Sequence, residues 1–205
     1  MAFWSDNTFK QSVRLAIYFA FVYMFVFFMH FIADIHKDST FSEGCIIENI
    51  QLSLLSASGI ILYIEGRLYT GYRQLLFFLS SLCFLACFRE LDYYFDKQIF
   101  GWQIAFVLPL IATIFALQNF SLSLKQVQSF VFSSSFHMML CAVILILPVA
   151  QCIGHRPFVV DVLGSDDVRD IKEFIEESCK TIGYFLIFLS IFEVYWGLLR
   201  PSRRK

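Results

Sequence analysis

Long apolar segments dominate this sequence and restrict the structures that it can form. An α-helix needs about 20 apolar residues to cross a hydrocarbon core about 30 Å thick. The strands of a membrane barrel would instead alternate over roughly ten residues, and the apolar residues here run in blocks. Six segments are long enough, or nearly so, to span a membrane as helices: residues 13–33, 46–64, 72–88, 102–120, 130–150 and 181–199. The sequence therefore predicts an all-α integral membrane bundle of about six transmembrane helices.

The composition leaves little room for a soluble domain. Of the 205 residues, 58% are hydrophobic and 26 are Phe, whereas a soluble domain has about 45–50% apolar residues. We therefore predict a single transmembrane domain over residues 1–205. The net charge of −1 gives no indication of nucleic-acid binding. The first apolar segment is too long for a signal peptide, and no small-residue cleavage site follows it, so it predicts a retained helix. Counts of four or five spans stay open if the short second and third segments are re-entrant.

Loop charges predict the orientation, because basic residues concentrate in cytoplasmic loops. With the N-terminus inside, fourteen of the seventeen acids fall outside. The inner segments then hold nine of the sixteen basic residues: Lys10, Arg14, Arg67, Arg73, Lys125, Arg200, Arg203, Arg204 and Lys205. We expect both termini in the cytoplasm and a bacterial inner (plasma) membrane location. Residues 151–178 then form an outward-facing loop and an amphipathic helix that continues into the last span, with Ser165 as its N-cap.

Two short helices predict charged groups at membrane depth near the outer surface. A helix rises about 25 Å from Glu48 to Glu65 and about 24 Å from Arg73 to Arg89, which is less than a core of about 30 Å. Ionisable groups at that depth pair with one another or line a wet cavity. The candidate site is therefore an outward-facing cluster: Glu48, Gln51, Arg89, Glu90, Asp92, Gln151, Glu176 and Glu177. It is either a binding pocket or an ion-pair lattice that orients helices, and we expect Glu48 to pair with Arg89.

Part of this cluster also carries a resemblance. The patterns E-x-x-Q at residues 48–51, R-E-L-D at 89–92 and E-E at 176–177 resemble those of uncharacterised small multi-pass bacterial membrane proteins. The resemblance covers about residues 45–185 and implies no activity.

Two further ionisable residues lie inside predicted spans. His137 could relay protons or ligate a metal, or it could simply bond to a neighbouring helix, which we favour. Glu193 could join it in a proton relay, although pairing with an inner arginine is the simpler interpretation. His30 and His137 lie at different depths, so we predict no haem. The sequence indicates no cofactor and no metal site.

The cysteines are interpreted by their positions. Cys83 and Cys87 lie four residues apart on one helix, which is typical of packing and not of a C-x-x-C redox pair. Cys45, Cys152 and Cys179 lie near the predicted outer surface, so a disulfide between two of them is possible in an oxidising compartment.

The function that the sequence favours is that of a non-enzymatic subunit. Such a bundle would form a homo-oligomer or bind a membrane or soluble protein, with the lipid bilayer as its other partner. One alternative is an ion or proton channel, or a transporter, that uses the outer acids and His137. The other is a membrane-embedded enzyme that acts on a lipid at the outer leaflet. No Walker loop, H-E-x-x-H or G-x-S-x-G motif occurs, which lowers the weight of the enzyme.

Overall fold

The computed structural model describes residues 6–35, 46–91, 106–118, 120–154 and 169–199. In this described part the chain is 96% helical, with seven helices and no strand. It divides into two compact units, Met1–Thr40 and Phe41–Lys205, and each unit is described by itself below. Several predictions lie outside the described residues: those on Asp92, Cys45, Ser165, the loop at 155–168 and the basic C-terminus.

The first unit is one long helix, α1 (Asp6–Ile35). Its stretch Gln11–Met29 is long and apolar enough to cross a membrane. Large apolar side chains such as Phe19, Tyr23 and Phe27 are exposed on it, and apolar residues on all sides of a helix suit a lipid environment. The helix predicted for the first apolar segment is therefore confirmed.

The described residues of the second unit form six helices. They are α2 (Ile46–Leu68), α3 (Arg73–Glu90), α4 (Val107–Leu117), α5 (Phe120–Val131), α6 (Ser134–Ile144) and α7 (Arg169–Val194). A 3₁₀ turn, Thr70–Tyr72, joins α2 to α3. Helix α6 continues through a π-helical turn, Leu145–Val149, into Ala150–Gly154, and α7 ends in a π-helical turn, Tyr195–Leu199.

Four helical stretches of this unit are long and apolar enough to span a membrane: Ile46–Leu68, Thr70–Glu90, Ser134–Cys152 and Phe174–Gly197. With α1 they make five candidate spans in the described part of the chain. They correspond to the first, second, third, fifth and sixth predicted segments. The all-α helical bundle is therefore confirmed, and five such helices suggest a membrane protein.

The fourth predicted span differs most from the structure. Within the described residues it is represented by α4, which has 11 residues and is therefore only about 17 Å long. In the predicted span Pro109 lies inside an apolar run, where a proline would kink the helix, but in the structure it lies in the first turn of α4, which begins at Val107. The missing N–H of a proline costs no helical hydrogen bond there.

The fifth span begins four residues later than predicted. Ser133 interrupts the helix and caps α6, since its Oγ accepts a hydrogen bond from the backbone N–H of Phe136 at 3.3 Å. Phe130 consequently belongs to α5, where its side chain is buried. Pro148 lies inside the π-helical turn of α6. A proline removes one backbone donor and forces such a local change in the hydrogen-bond ladder.

Side-chain contacts fix the directions of the four long helices. Helices α2 and α7 run parallel, because Gln51 contacts Glu177 at one end and Tyr69 contacts Tyr195 at the other. Helix α3 is antiparallel to α2, because Ser56 contacts Cys87, whereas Gly59, further along α2, accepts a hydrogen bond from the earlier Ser80 at 2.7 Å. The outer end of the bundle is defined here as the end where α2 and α7 begin.

Small residues allow close approach between these helices. A Cβ at Gly183 of α7 would lie 2.4 Å from Cγ1 of Ile146 and 3.1 Å from the backbone oxygen of Ala142. Ile146 packs in one buried cluster with Tyr184, and Met139 packs in another with Ile191, so α6 is antiparallel to α7. On α2, a Cβ at Gly59 would lie 3.1 Å from the ring of Phe84. Close backbone contact at small residues is how helices pack in the absence of a hydrophobic driving force.

We predict that Gly183→Ala lowers the free energy of unfolding by about 1–3 kcal/mol, the range for overpacked sites. The added methyl group meets both a branched side chain and the backbone of α6, so neither neighbour yields cheaply. Thermal unfolding in detergent measures the effect. Gly71→Ala is the matched control, because a Cβ there meets no atom within 4 Å. Equal melting temperatures for the two variants would contradict this packing.

Candidate functional site

Gln51 of α2 is the centre of a hydrogen-bonded cluster at the outer end of the bundle. Its side chain is fully buried. Its Nε2 donates to Oε2 of Glu177 at 2.9 Å and to Oγ1 of Thr181 at 2.8 Å. Both partners belong to α7, so these bonds tie α2 to α7. Thr181 in turn donates its hydroxyl to the backbone carbonyl of Glu177 at 2.6 Å.

Lys180 supplies the positive charge beside these groups. Its Nζ lies 2.6 Å from Oε1 of Glu177 and 2.9 Å from Oε1 of Glu176. Lys180 lies four residues after Glu176 and three after Glu177 on α7, the two spacings at which side chains on a helix are neighbours. Glu177 thus uses one carboxylate oxygen for Lys180 and the other for Gln51.

A second group of contacts ties α3 to α7. The hydroxyl of Tyr184 donates to Oε1 of Glu90 at 2.6 Å. The nearest guanidinium nitrogen of Arg89 lies 3.6 Å from the same oxygen. The side chain of Arg89 is 44% exposed, whereas that of Glu90 is 13% exposed. Successive residues of a helix project about 100° apart, which makes Glu90 an unfavourable partner for Arg89 by position, yet the long side chains of the two residues meet.

The outer polar cluster, as the structure forms it, consists of Gln51, Arg89, Glu90, Glu176, Glu177, Lys180, Thr181 and Tyr184. Five of the predicted residues are in it. Lys180, Thr181 and Tyr184 were not in the predicted site, although their spacing from Glu177 follows one helical face.

Two other predicted members lie at the edge of this cluster. Glu48 is half-buried in the first turn of α2, where a negative charge suits the positive end of the helix dipole. Gln151 is exposed near the end of α6. The pairing of Glu48 with Arg89 stays a prediction, and the arginine contact that the structure gives is the one to Glu90.

The predicted relay residues lie toward the inner end of the bundle. His137 is exposed, and its Nδ1–H donates to the backbone carbonyl of Ser133 at 2.8 Å. This bond lies within one turn of its own helix, and the expected bond to a neighbouring helix stays a prediction. Glu193 is 3% exposed. Its level is within about 3 Å of that of Glu65 of α2. The contacts Gln51–Glu177 and Tyr69–Tyr195 each join residues 126 apart, and Glu65 and Glu193 are 128 apart.

Glu65 differs from the outer acids in its bonding. It is 8% exposed, and its Oε2 is a buried atom with no hydrogen-bond partner among the residues that the structure describes. A buried polar atom without a partner is uncommon and costs free energy. From the sequence alone, Glu65 marks only the inner end of the second predicted helix.

The cysteines take the roles of packing residues where they are described. Cys83 and Cys87 are buried free thiols, and the Sγ of Cys87 lies 3.2 Å from Oγ of Ser56 on α2. Cys152 and Cys179 are also free thiols. The possible disulfide between Cys152 and Cys179 is therefore not formed. Cys45 lies outside the described residues.

The cluster offers hydrogen-bonded charges more than reactive groups. Among the described residues, no three His, Cys, Asp or Glu side chains are grouped as metal ligands. Comparisons of the chain with protein-family models, with curated proteins and with solved structures find no match. The function is therefore argued from the site itself.

We predict that Gln51→Leu destabilises the protein by about 1–3 kcal/mol, because the partly buried carboxylate of Glu177 loses a donor. The double variant with Glu177→Leu should lose less than the sum of the single losses, by about 0.5 kcal/mol or more. Unfolding in mixed micelles measures all three. Ser53→Ala is the control, since Ser53 is exposed and bonds only to its own helix. Strict additivity would show that the contact contributes nothing.

Proposed function

We propose that this chain is a non-enzymatic multi-pass membrane protein that acts as a subunit of a homo-oligomer or of a larger membrane complex. The observation that carries the proposal is the internal bonding of the outer polar cluster. Glu177 accepts hydrogen bonds from both Gln51 and Lys180. Glu90 accepts one from the hydroxyl of Tyr184. Charges that bond to one another in this way orient helices and leave few groups to act on a substrate.

Six spans are part of the proposal, and helix direction supports the sixth. Helix α3 is antiparallel to α2 and α6 is antiparallel to α7, while α2 and α7 are parallel. Therefore α3 and α6 run in the same direction. The chain must return along the bundle between Glu90 and Ser134, and α4 and α5 lie in that segment. If α3 and α6 cross a bilayer, this return is a further crossing.

The orientation and location follow from the charges. We place both termini in the cytoplasm of a bacterial cell and the bundle in its inner membrane. The acid-rich outer segments and the basic residues at the C-terminus support this orientation.

Cysteine labelling tests the orientation. In a cysteine-free background, a membrane-impermeant maleimide should label Asp167→Cys in intact cells. It should label Lys125→Cys only after the membrane is opened, because 125 lies in a predicted inner segment. The reverse pattern would overturn the orientation, and labelling of both positions in intact cells would overturn the six-span count.

The subunit role predicts an assembly that survives mild detergent. Native mass spectrometry should find the chain in a fixed oligomer or with a stoichiometric protein partner, and the purified protein should carry no proton flux in vesicles. Glu176→Gln should leave both results unchanged. A monomer that conducts protons, with flux lost in Glu65→Gln, would contradict the proposal and favour the transporter, since Glu65 has a buried carboxylate oxygen with no partner among the described residues.

A further inference from the structure

A cavity of about 260 Å³ lies between α3 and α6. Leu55 of α2 and Ile187 of α7 contribute to its floor, and Leu82 and Val143 to its two sides. Ten of its twelve lining residues are apolar, and the other two are Arg89 and Tyr184. An apolar cavity of about 150 Å³ is large enough to bind benzene, and the smallest ligand pockets have volumes of about 300 Å³. The volume of this cavity lies between the two.

The cavity opens sideways toward the surface that faces hydrocarbon in a membrane. Three lining residues at its edge are exposed: Leu82 at 39%, Val143 at 42% and Leu147 at 43%. An opening bordered by apolar side chains on two candidate spans admits an apolar chain directly from a bilayer. An α-helix is about 10 Å across with its side chains, which is too wide for this space.

Arg89 gives the outer end of the cavity a positive charge. The residues of α3 that line it, from Leu79 through Leu82 and Ala86 to Arg89, follow one face of the helix over about 15 Å. Arg89 is 44% exposed, and its contact with Glu90 is 3.6 Å long. The oxygen in that contact already accepts the Tyr184 hydroxyl. The guanidinium therefore retains donors for an anion, and its planar fork suits a phosphate.

We propose that this groove binds one acyl chain of an anionic phospholipid of the bilayer, with the lipid phosphate on Arg89. The apolar lining would hold the chain, and the arginine lies at the end where headgroups are expected. The tyrosine hydroxyl beside it donates to Glu90 and keeps that carboxylate from closing over the guanidinium.

Native mass spectrometry of the full chain tests the site with two lipids of identical acyl chains. Phosphatidylglycerol should bind at one molecule per chain, about tenfold more tightly than a diacylglycerol, which has no phosphate to accept a charged hydrogen bond from Arg89. Arg89→Gln should abolish this preference, and Arg89→Lys should keep most of it. Arg67 is an exposed arginine in the last turn of α2, at the inner end of the bundle, and Arg67→Gln should leave the preference unchanged. Equal losses in Arg89→Gln and Arg67→Gln would overturn the arginine's role.

Filling the groove tests the acyl chain separately. Ala86→Phe should weaken binding of both lipids by about tenfold, whereas Ile60→Phe on an exposed face of α2 should not. If Ala86→Phe fails to fold, Val143→Cys offers a second test. Added phosphatidylglycerol should slow its reaction with an apolar maleimide, and the same rate with and without lipid would overturn the site. A free fatty acid that protects while phospholipid does not would overturn the phospholipid as occupant.

Discussion

A buried amide in a membrane helix must find its partners on another helix, because hydrocarbon offers none. Gln51 finds them on α7, at Glu177 and Thr181. These bonds set the register of the two parallel helices, and the same register brings Tyr69 against Tyr195 at the far end. A shift of α7 by one residue would turn Glu177 by about 100° away from Gln51. The polar bonds thus determine which of the apolar contacts can form.

Close packing agrees with this register. Gly183 lies two residues after Thr181 and contacts Ile146 and Ala142 of α6, so one stretch of α7 bonds α2 and packs on α6. The bond from Ser80 to the carbonyl of Gly59 holds α3 against α2 in the same manner. Hydrogen bonds in membranes contribute modestly to stability, and dense packing adds the dispersion that they lack. Specific register and tight contact therefore support each other.

Apolar length predicted most of the fold, and local chemistry explains where it failed. Ser133 divides the fifth predicted segment by capping α6. In the fourth predicted segment Pro109 lies in the first turn of a short helix, not inside a long one. The predicted depths of the helices placed Gln51 and Glu177 in one cluster, and the structure joins them. The spacing of Arg89 and Glu90 on the helix disfavours their contact, but their long side chains reach around the helix. Tyr184 was missed because a tyrosine inside an apolar segment counts as apolar until its hydroxyl partner is known.

Arg89 stands apart from the other members of the outer polar cluster. In a lattice that only orients helices, an arginine is expected to take a carboxylate in a bidentate contact. Here Tyr184 takes the nearest oxygen of Glu90 at 2.6 Å, and the guanidinium remains at 3.6 Å and partly exposed. The bonds from α7 to Gln51 and to Glu90 form without it. The cluster can therefore orient the helices while Arg89 lines the groove. The hydroxyl of Tyr184 makes both roles possible, because it bonds Glu90 in place of the arginine.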